Sequence, residues 1–175
     1  HNSLNKIIND NKFIESYSLA KLKSINPNIF NCCDKHRMYI EIIQNINKDI
    51  KEGAVFNETG IIGQVVNNKS YYEVMLLTDT KSSIPLTNSK GDFYCNASGS
   101  GASDYITCSY SQLVWLDNHE LGEKFFSSGL GGIYPKGIEI GNLESIKIVD
   151  TSTTLLTIKL ISNPLHSNLF GVIKL

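Results

Sequence analysis

Three residue types that cooperate in nucleophilic hydrolysis occur in order along the chain. His36 is followed by Asp79 and then by Ser127 and Ser128 in a glycine-rich stretch. In serine hydrolases a histidine takes the proton of the serine hydroxyl, while an aspartate orients and stabilises that histidine. The order His, Asp, Ser is that of chymotrypsin-like proteases. A small serine hydrolase that uses His36, Asp79 and Ser128 is therefore one hypothesis for this chain.

The surroundings of these residues argue against catalysis. No Gly-Asp-Ser-Gly sequence surrounds either serine, so nothing predicts a turn that would stabilise an oxyanion. Asp79 follows a candidate strand that ends at Leu77, where a turn residue is expected. Three common residue types in a given order also arise by chance. We therefore expect no catalytic residues, and we expect that the protein is not an enzyme.

Other chemistries find few suitable residues. The chain contains no phosphate-binding or dinucleotide-binding glycine motif, and its histidines are scattered. The chain contains no Cys-x-x-Cys pair, so the sequence does not predict a zinc site. The 175 residues include 16 basic and 17 acidic ones, so the net charge of −1 excludes a basic nucleic-acid platform. We expect no metal, no cofactor and no nucleic-acid partner.

One cysteine pair lies on a predicted hairpin. Residues 93–97 and 105–109 are strand candidates, and folding them about the midpoint of 101–102 places Cys95 opposite Cys108. A cross-strand disulfide then has suitable geometry. Two reduced cysteines on one hairpin remain the alternative, because a one-residue slip in register separates the pair.

The elements that must position these residues are mostly short strands. After residue 20 the chain consists of runs rich in Ile, Val, Tyr and Thr, such as 38–43 and 71–77, separated by Gly, Asn, Asp and Ser. Many such strands predict an all-β sandwich or barrel. Leu4, Ile7 and Ile8 have helical spacing instead, so residues 1–16 are expected to be the end of a coiled coil or a frayed helix.

A repeated glycine spacing indicates two related halves. Each copy places glycines seven and then three residues apart, and the second copy lies 69 residues after the first; the six are Gly53, Gly60, Gly63, Gly122, Gly129 and Gly132. Each copy predicts a strand, a tight turn that needs positive φ, and a second strand that leaves on a glycine kink. Chance spacing among 13 glycines is the alternative.

Two copies predict two small six-stranded β-barrels, of the kind found in chymotrypsin-like proteases, after a helical segment. We expect the helical segment over residues 1–16, the first barrel over 17–90 and the second over 91–175. The sequence leaves open whether one barrel is nested within the other.

Residues 127–141 (SSGLGGIYPKGIEIG) closely resemble the T-S-G-L-G-G-x-[FY]-P-x-G-x-x-[IV]-G signature of the rod shape-determining protein MreC family. Residues 60–66, 76–79 and 163–169 resemble other blocks of that family in the same order. We expect a set of residues from these blocks to shape the turns and strand crossings of the fold. They are Gly60, Gly63, Gly129, Gly131, Gly132, Pro135, Gly137 and Gly141.

The resemblance implies a non-catalytic scaffold of the bacterial cell-elongation complex. In the family, a transmembrane helix and a coiled coil precede two β-barrels on the periplasmic face of the inner membrane. The resemblance implies self-association, and partners that include a class B penicillin-binding transpeptidase and other membrane proteins of the complex. A membrane anchor is therefore expected upstream of His1.

The first segment departs from the family pattern. Where the family commonly has two glycines upstream of Gly53, this chain has Asn45 and Asp49, the residue types that best tolerate positive φ. The residues around Cys32 and Cys33 match no family block. We expect these adjacent cysteines not to bridge each other, and to be buried apolar residues or free thiols.

A carbohydrate-binding module is the third hypothesis for this chain. Such a module would present a row of exposed aromatic side chains to the sugar. Tyr71, Tyr72 and Trp115 are the candidates. For Trp115, which lies in an apolar run, packing in the core is the simpler expectation.

Overall fold

The computed structural model describes residues 17–44, 49–68, 71–111 and 119–175. The strands are β1 (Ser18–Ile25), β2 (Arg37–Gln44), β3 (Ala54–Asn57), β4 (Gly60–Asn68), β5 (Tyr72–Leu76), β6 (Ser83–Asn88), β7 (Tyr94–Gly99), β8 (Tyr105–Ser111), β9 (Lys124–Ser127), β10 (Glu139–Ile148), β11 (Thr153–Leu160) and β12 (Leu169–Ile173). A short helix α1 (Ile29–Cys32) and a 3-10 helix (Leu130–Gly132) complete the elements of these ranges. None of these helices is long and apolar enough to cross a bilayer. The helical segment expected over residues 1–16 lies outside the described residues.

The strands form two closed antiparallel barrels. The first has the order β1-β12-β3-β4-β5-β2 and the second the order β10-β11-β8-β7-β6-β9. Each strand has a hydrogen-bonded neighbour on both sides, which removes the open edges that would otherwise invite pairing with other chains. The prediction of two six-stranded β-barrels is confirmed.

The barrel boundaries differ from the expected ranges 17–90 and 91–175. β6 belongs to the second barrel, while β12 returns to the first and pairs with β1 and β3. The side chains of Phe170 and Val172 on β12 are 0% exposed inside the first barrel, which explains why the final strand returns there. The second barrel is thus inserted between β5 and β12 of the first.

The two barrels have the same cyclic order of paired strands. The order β3, β4, β5, β2, β1, β12 in the first barrel corresponds to the order β9, β10, β11, β8, β7, β6 in the second. The last strand, β12, is therefore the counterpart of β6. The glycine repeat marks the matching pairs β3–β4 and β9–β10. The first copy forms the predicted tight hairpin, with a two-residue turn at 58–59. The second does not, because a loop with the 3-10 helix separates β9 from β10.

Apolar side chains fill both barrels and continue across their junction. One cluster lies inside the first barrel and includes Met38, Ile40 and Phe170. The other fills the second barrel but also contains Phe56 and Leu77, which precede it in the chain. Since one contiguous cluster spans both barrels, the junction is packed like a core and holds the barrels together.

Candidate functional site

The family-like motif forms a loop clamped by one serine. Ser127, at the end of β9, is fully buried, and its hydroxyl donates to the carbonyl of Pro135. The same oxygen accepts from the backbone N–H of Ile138 at 3.0 Å, and the Ser127 carbonyl accepts from the N–H of Gly137 at 2.8 Å. Ser127 therefore ties the start of the loop to its end and has no lone pair directed to solvent for catalysis.

The loop needs glycine for steric reasons at Gly129. Its φ is +80°, and a Cβ there would lie 2.8 Å from Cβ of Lys136 on the opposite side of the loop. Gly131, Gly132 and Gly137 also have positive φ. The result is a compact loop that presents Leu130, 58% exposed, at its surface.

Tyr134 connects this loop to the first barrel. Its ring is buried in the core cluster, and its Oη donates to Oε1 of Gln64 on β4 at 3.3 Å. Burial raises the pKa of the Tyr134 hydroxyl far above its usual range, so it remains a protonated donor. The loop of the second barrel is therefore anchored by both packing and a hydrogen bond to the first.

Gly63 and Gly141 occupy matching positions in the two barrels. Gly63 on β4 pairs with Leu76 on β5, and Gly141 on β10 pairs with Leu160 on β11. A Cβ at Gly63 would overlap the carbonyl of Met75, and one at Gly141 would overlap a carbonyl of β11. Both glycines thus permit a close strand approach at the same place in each barrel.

The proposed triad is not assembled. The Nε2 of His36 lies 2.7 Å from the carbonyl of Cys33, and its Nδ1 lies 2.7 Å from Oγ1 of Thr78. Because a carbonyl only accepts, Nε2 carries a hydrogen and donates it to Cys33, while Nδ1 and the threonine hydroxyl share the second hydrogen bond. Ser128 instead accepts the backbone N–H of Leu130 at 3.3 Å. In the described structure no hydrogen bond joins His36 to a serine, and both ring nitrogens are already engaged.

Asp79 organises the segment between the barrels. Its Oδ2 accepts from the backbone N–H of His36 at 2.9 Å and from Nε of Arg37 at 3.0 Å, while its Oδ1 accepts from the N–H of Lys81 at 2.8 Å. Burial opposes ionisation, but these hydrogen bonds outweigh it and hold the pKa of Asp79 below its usual value. Asp79 is therefore a turn residue, as its sequence position suggested, and also the anion of a buried ion pair.

The structure joins Cys95 to Cys108 in a disulfide, with their Cα atoms 6.2 Å apart. The register differs from the expected one, since Ser98 lies opposite Thr107 and Gly99 opposite Ile106. The hairpin thus turns one residue later than predicted, and the two cysteines are diagonal neighbours on one face.

Cys32 and Cys33 are also joined, which contradicts the expectation that adjacent cysteines would not bridge. The chain changes there from helix to extended backbone, with φ −134° and ψ 154° at Cys33, and this change brings the two side chains together. They are not buried either, because Cys32 is exposed and Cys33 is half-buried.

Other candidate ligand groups are dispersed. Tyr71 is exposed with Nζ of Lys23 4.9 Å from its ring centre, and Tyr72 is half-buried. Trp115 lies outside the described residues. Among the residues that are described, no group of three or more His, Cys, Asp or Glu side chains could hold a metal ion.

A groove lies between the barrels. Its walls include Phe30 from α1, Leu77 from the segment between the barrels, Leu160 at the end of β11, and Pro164 and Leu165 beyond that strand. Asp104 and Asn163 add polar groups at the same groove. These residues come from distant parts of the chain, so no local pattern in the sequence could reveal the groove.

Comparison with known proteins gives one consistent result. A family described as "Rod shape-determining protein MreC, barrel core" matches residues 31–174. The "Cell shape-determining protein MreC" of Haemophilus influenzae is 33% identical over 107 residues, which cover 58% of this chain and 30% of that relative. The chain thus spans about a third of the length of this curated relative.

Solved structures agree with this match. The crystal structure of MreC from Pseudomonas aeruginosa has a TM-score of 0.75 at 22% identity, covering 91% of this chain and 99% of that one. A chain from the complex between penicillin-binding protein PBP2 and MreC of Helicobacter pylori has a TM-score of 0.66 at 16% identity, covering 90% and 97%. At these identities the likeness shows a shared fold. Because the family match covers most of the chain, including the 127–141 motif, the chain belongs to the rod shape-determining protein MreC family.

Proposed function

We propose that this chain is the barrel core of a non-catalytic scaffold that organises peptidoglycan synthases in the bacterial cell-elongation complex. The observation that carries the proposal is the family match over residues 31–174. The engaged ring of His36 supports a role without catalysis, because its two ring nitrogens bond to Thr78 and Cys33 and neither bonds to a serine. The barrels would act by recognition, as a rigid surface for other proteins.

The main partner in this proposal is a class B penicillin-binding transpeptidase. A structural neighbour was solved in a complex between PBP2 and MreC, which supports this choice. The proposal places the barrels outside the cytoplasm, on a chain anchored in the inner membrane upstream of them. The two disulfides support that location, because disulfides persist in oxidising compartments and are rare in the cytosol.

Binding to the extracytoplasmic domain of the cognate class B transpeptidase tests the proposal. Titration calorimetry with residues 1–175 is expected to show saturable one-site binding. The matched control is Ser128→Ala, which removes only the acceptor for the Leu130 N–H and is expected to bind unchanged. A fluorophosphonate serine probe completes the test. If the transpeptidase domain does not bind, and the probe labels the parent protein but not Ser128→Ala, the scaffold proposal is wrong and the hydrolase hypothesis replaces it.

Self-association is the second part of the proposal. The family resemblance implies that residues 1–16, which lie outside the described residues, would be the end of a coiled coil, and such a segment would raise the local concentration of barrels. Sedimentation velocity is expected to show dimers or larger species for residues 1–175 and a shift toward monomer for residues 17–175. The same dimer fraction in the two chains would assign self-association to the barrels instead, and monomers in both would contradict this part of the proposal.

A further inference from the structure

The two disulfides differ in their access to solvent at one sulfur of each pair. Cys108 is 0% exposed within the second barrel, and its half-buried partner Cys95 lies on the same inward face of β7 and β8. Cys32 is exposed at the end of α1, and Cys33 is half-buried. We propose that Cys32–Cys33 is a dithiol–disulfide exchange site, open to small-molecule and protein dithiols, and that its reduced form captures trivalent arsenicals.

Loop length supports this assignment. A disulfide stabilises a protein mainly by restricting the unfolded chain, and the effect grows with the number of residues in the closed loop. The Cys95–Cys108 bond spans 13 positions, whereas Cys32–Cys33 spans one. The bond between neighbours therefore contributes little to folding. Exposed disulfides are also the ones that exchange readily, whereas buried structural ones resist reduction.

The chain around Cys32–Cys33 is held by groups other than the disulfide. The Cys33 carbonyl accepts from Nε2 of His36 at 2.7 Å, and the ring of Phe30 packs edge-on against the His36 ring with centres 5.0 Å apart. The Cys33 N–H donates to the carbonyl of Ile29 at 3.1 Å. Because these contacts do not involve sulfur, the site can open and close while the barrels stay folded.

The exchange step has a simple balance. A thiolate of the incoming dithiol attacks Sγ of Cys32, the more exposed sulfur; the Cys32–Cys33 bond breaks, and Cys33 leaves as a thiolate that takes up a proton. The second thiol of the dithiol then attacks the mixed disulfide, which releases Cys32 and yields the oxidised dithiol. Two electrons and two protons pass from the dithiol to the cysteine pair. Two adjacent thiols can then replace two oxygen ligands of a trivalent arsenical, with loss of water.

Differential labelling of the folded protein tests the proposal. Residues 1–175 are treated briefly with dithiothreitol under native conditions, alkylated with N-ethylmaleimide and mapped by mass spectrometry. Labelling of Cys32 and Cys33 is expected to be at least about tenfold faster than labelling of Cys95 and Cys108. Equal rates for the two pairs, or label on Cys32 and Cys33 before any reductant is added, would overturn the proposal.

Phenylarsine oxide provides an independent readout. The reduced native protein is expected to bind one equivalent, seen as a mass increase that a dithiol reverses. The Cys95→Ser/Cys108→Ser variant should retain this adduct, whereas Cys33→Ser should lose it while keeping the circular dichroism spectrum of the parent. An adduct that survives in Cys33→Ser would show that the adjacent pair is not the binding site.

Discussion

The Nε of Arg37 lies 3.0 Å from Oδ2 of Asp79, and this ion pair joins β2 of the first barrel to the segment that enters the second. Asp79 is 1% exposed, and the Nη1 of Arg37 also lies 3.6 Å from Oε1 of Glu73. Arg37 is the single arginine of the chain. Its planar guanidinium suits a site where two carboxylates approach from different directions.

Removing the arginine should therefore be costly. Arg37→Met leaves Asp79 buried without its counterion, and we expect the free energy of unfolding to fall by about 3–5 kcal/mol in urea titrations. The matched control is Lys21→Met, which breaks the exposed Lys21–Glu41 pair (3.6 Å). This substitution should change the free energy of unfolding by less than about 1 kcal/mol. Equal effects of the two substitutions would contradict a structural role for the Arg37–Asp79 pair.

The Asp79 carboxylate should also make the stability of the folded protein depend on pH. The pKa of Asp79 is lower in the folded protein than its ordinary value of 3.8. Its contribution is therefore fully present above pH 3.8, and it is lost as the pH falls through the lower folded pKa. Thermal unfolding between pH 2 and 6 should show a smaller acid-induced loss for Asp79→Asn than for the parent. Glu144→Gln, an exposed site on β10, is the control and should follow the parent curve.

Substitutions at two loop glycines should distinguish the cost of backbone strain from the cost of a steric clash. Gly129 and Gly131 both have φ of +80°, but a Cβ would meet Lys136 at 2.8 Å only at Gly129, while Gly131 has nothing within 4 Å. We expect Gly131→Val to cost about 1–2 kcal/mol from its backbone alone. Gly129→Val should cost clearly more and unfold or misassemble the second barrel. Calorimetric melting decides between these outcomes, and equal losses would exclude the predicted collision.

The contact between Tyr134 and Gln64 should couple the barrels. Tyr134→Phe keeps the buried ring but removes the donor to Gln64 Oε1, so we expect a loss of about 0.5–1.5 kcal/mol. Gln64→Ala removes the acceptor from the other barrel. A double-mutant cycle on chemical unfolding should give a coupling energy of about 0.5 kcal/mol or more. Strict additivity would mean that the two barrels are joined at this point by packing alone.

The sequence predicted the barrels and most strands because their apolar residues alternate in short runs. It missed β6, since Pro85 lies in the middle of SIPLTN and proline argues against a paired strand. Nothing local showed that β12 returns to the first barrel, because pairing between Ala20 and Phe170 joins opposite ends of the chain. Such pairing is fixed by the whole core and not by neighbouring residues.

The site was harder to predict than the fold. The 127–141 motif was recognisable as a pattern. However, the second copy of the glycine repeat, which overlaps this motif, forms a clamped loop instead of a hairpin turn, because Ser127 binds both Pro135 and Ile138. The partners of His36 come from Cys33 and Thr78, and the latter pairing follows only from tertiary packing. An order of residue types along a chain does not report such contacts.

The place of β12 sets an order of assembly on a chain made from its N-terminus. All six strands of the second barrel, β6 to β11, precede β12 and can close before it is synthesised. The first barrel begins earlier but cannot close until β12 arrives, so β1 and β3 keep free edges in the meantime. The part of the protein that is made first is therefore the last to be completed, and it is the part exposed to mispairing if synthesis stops early.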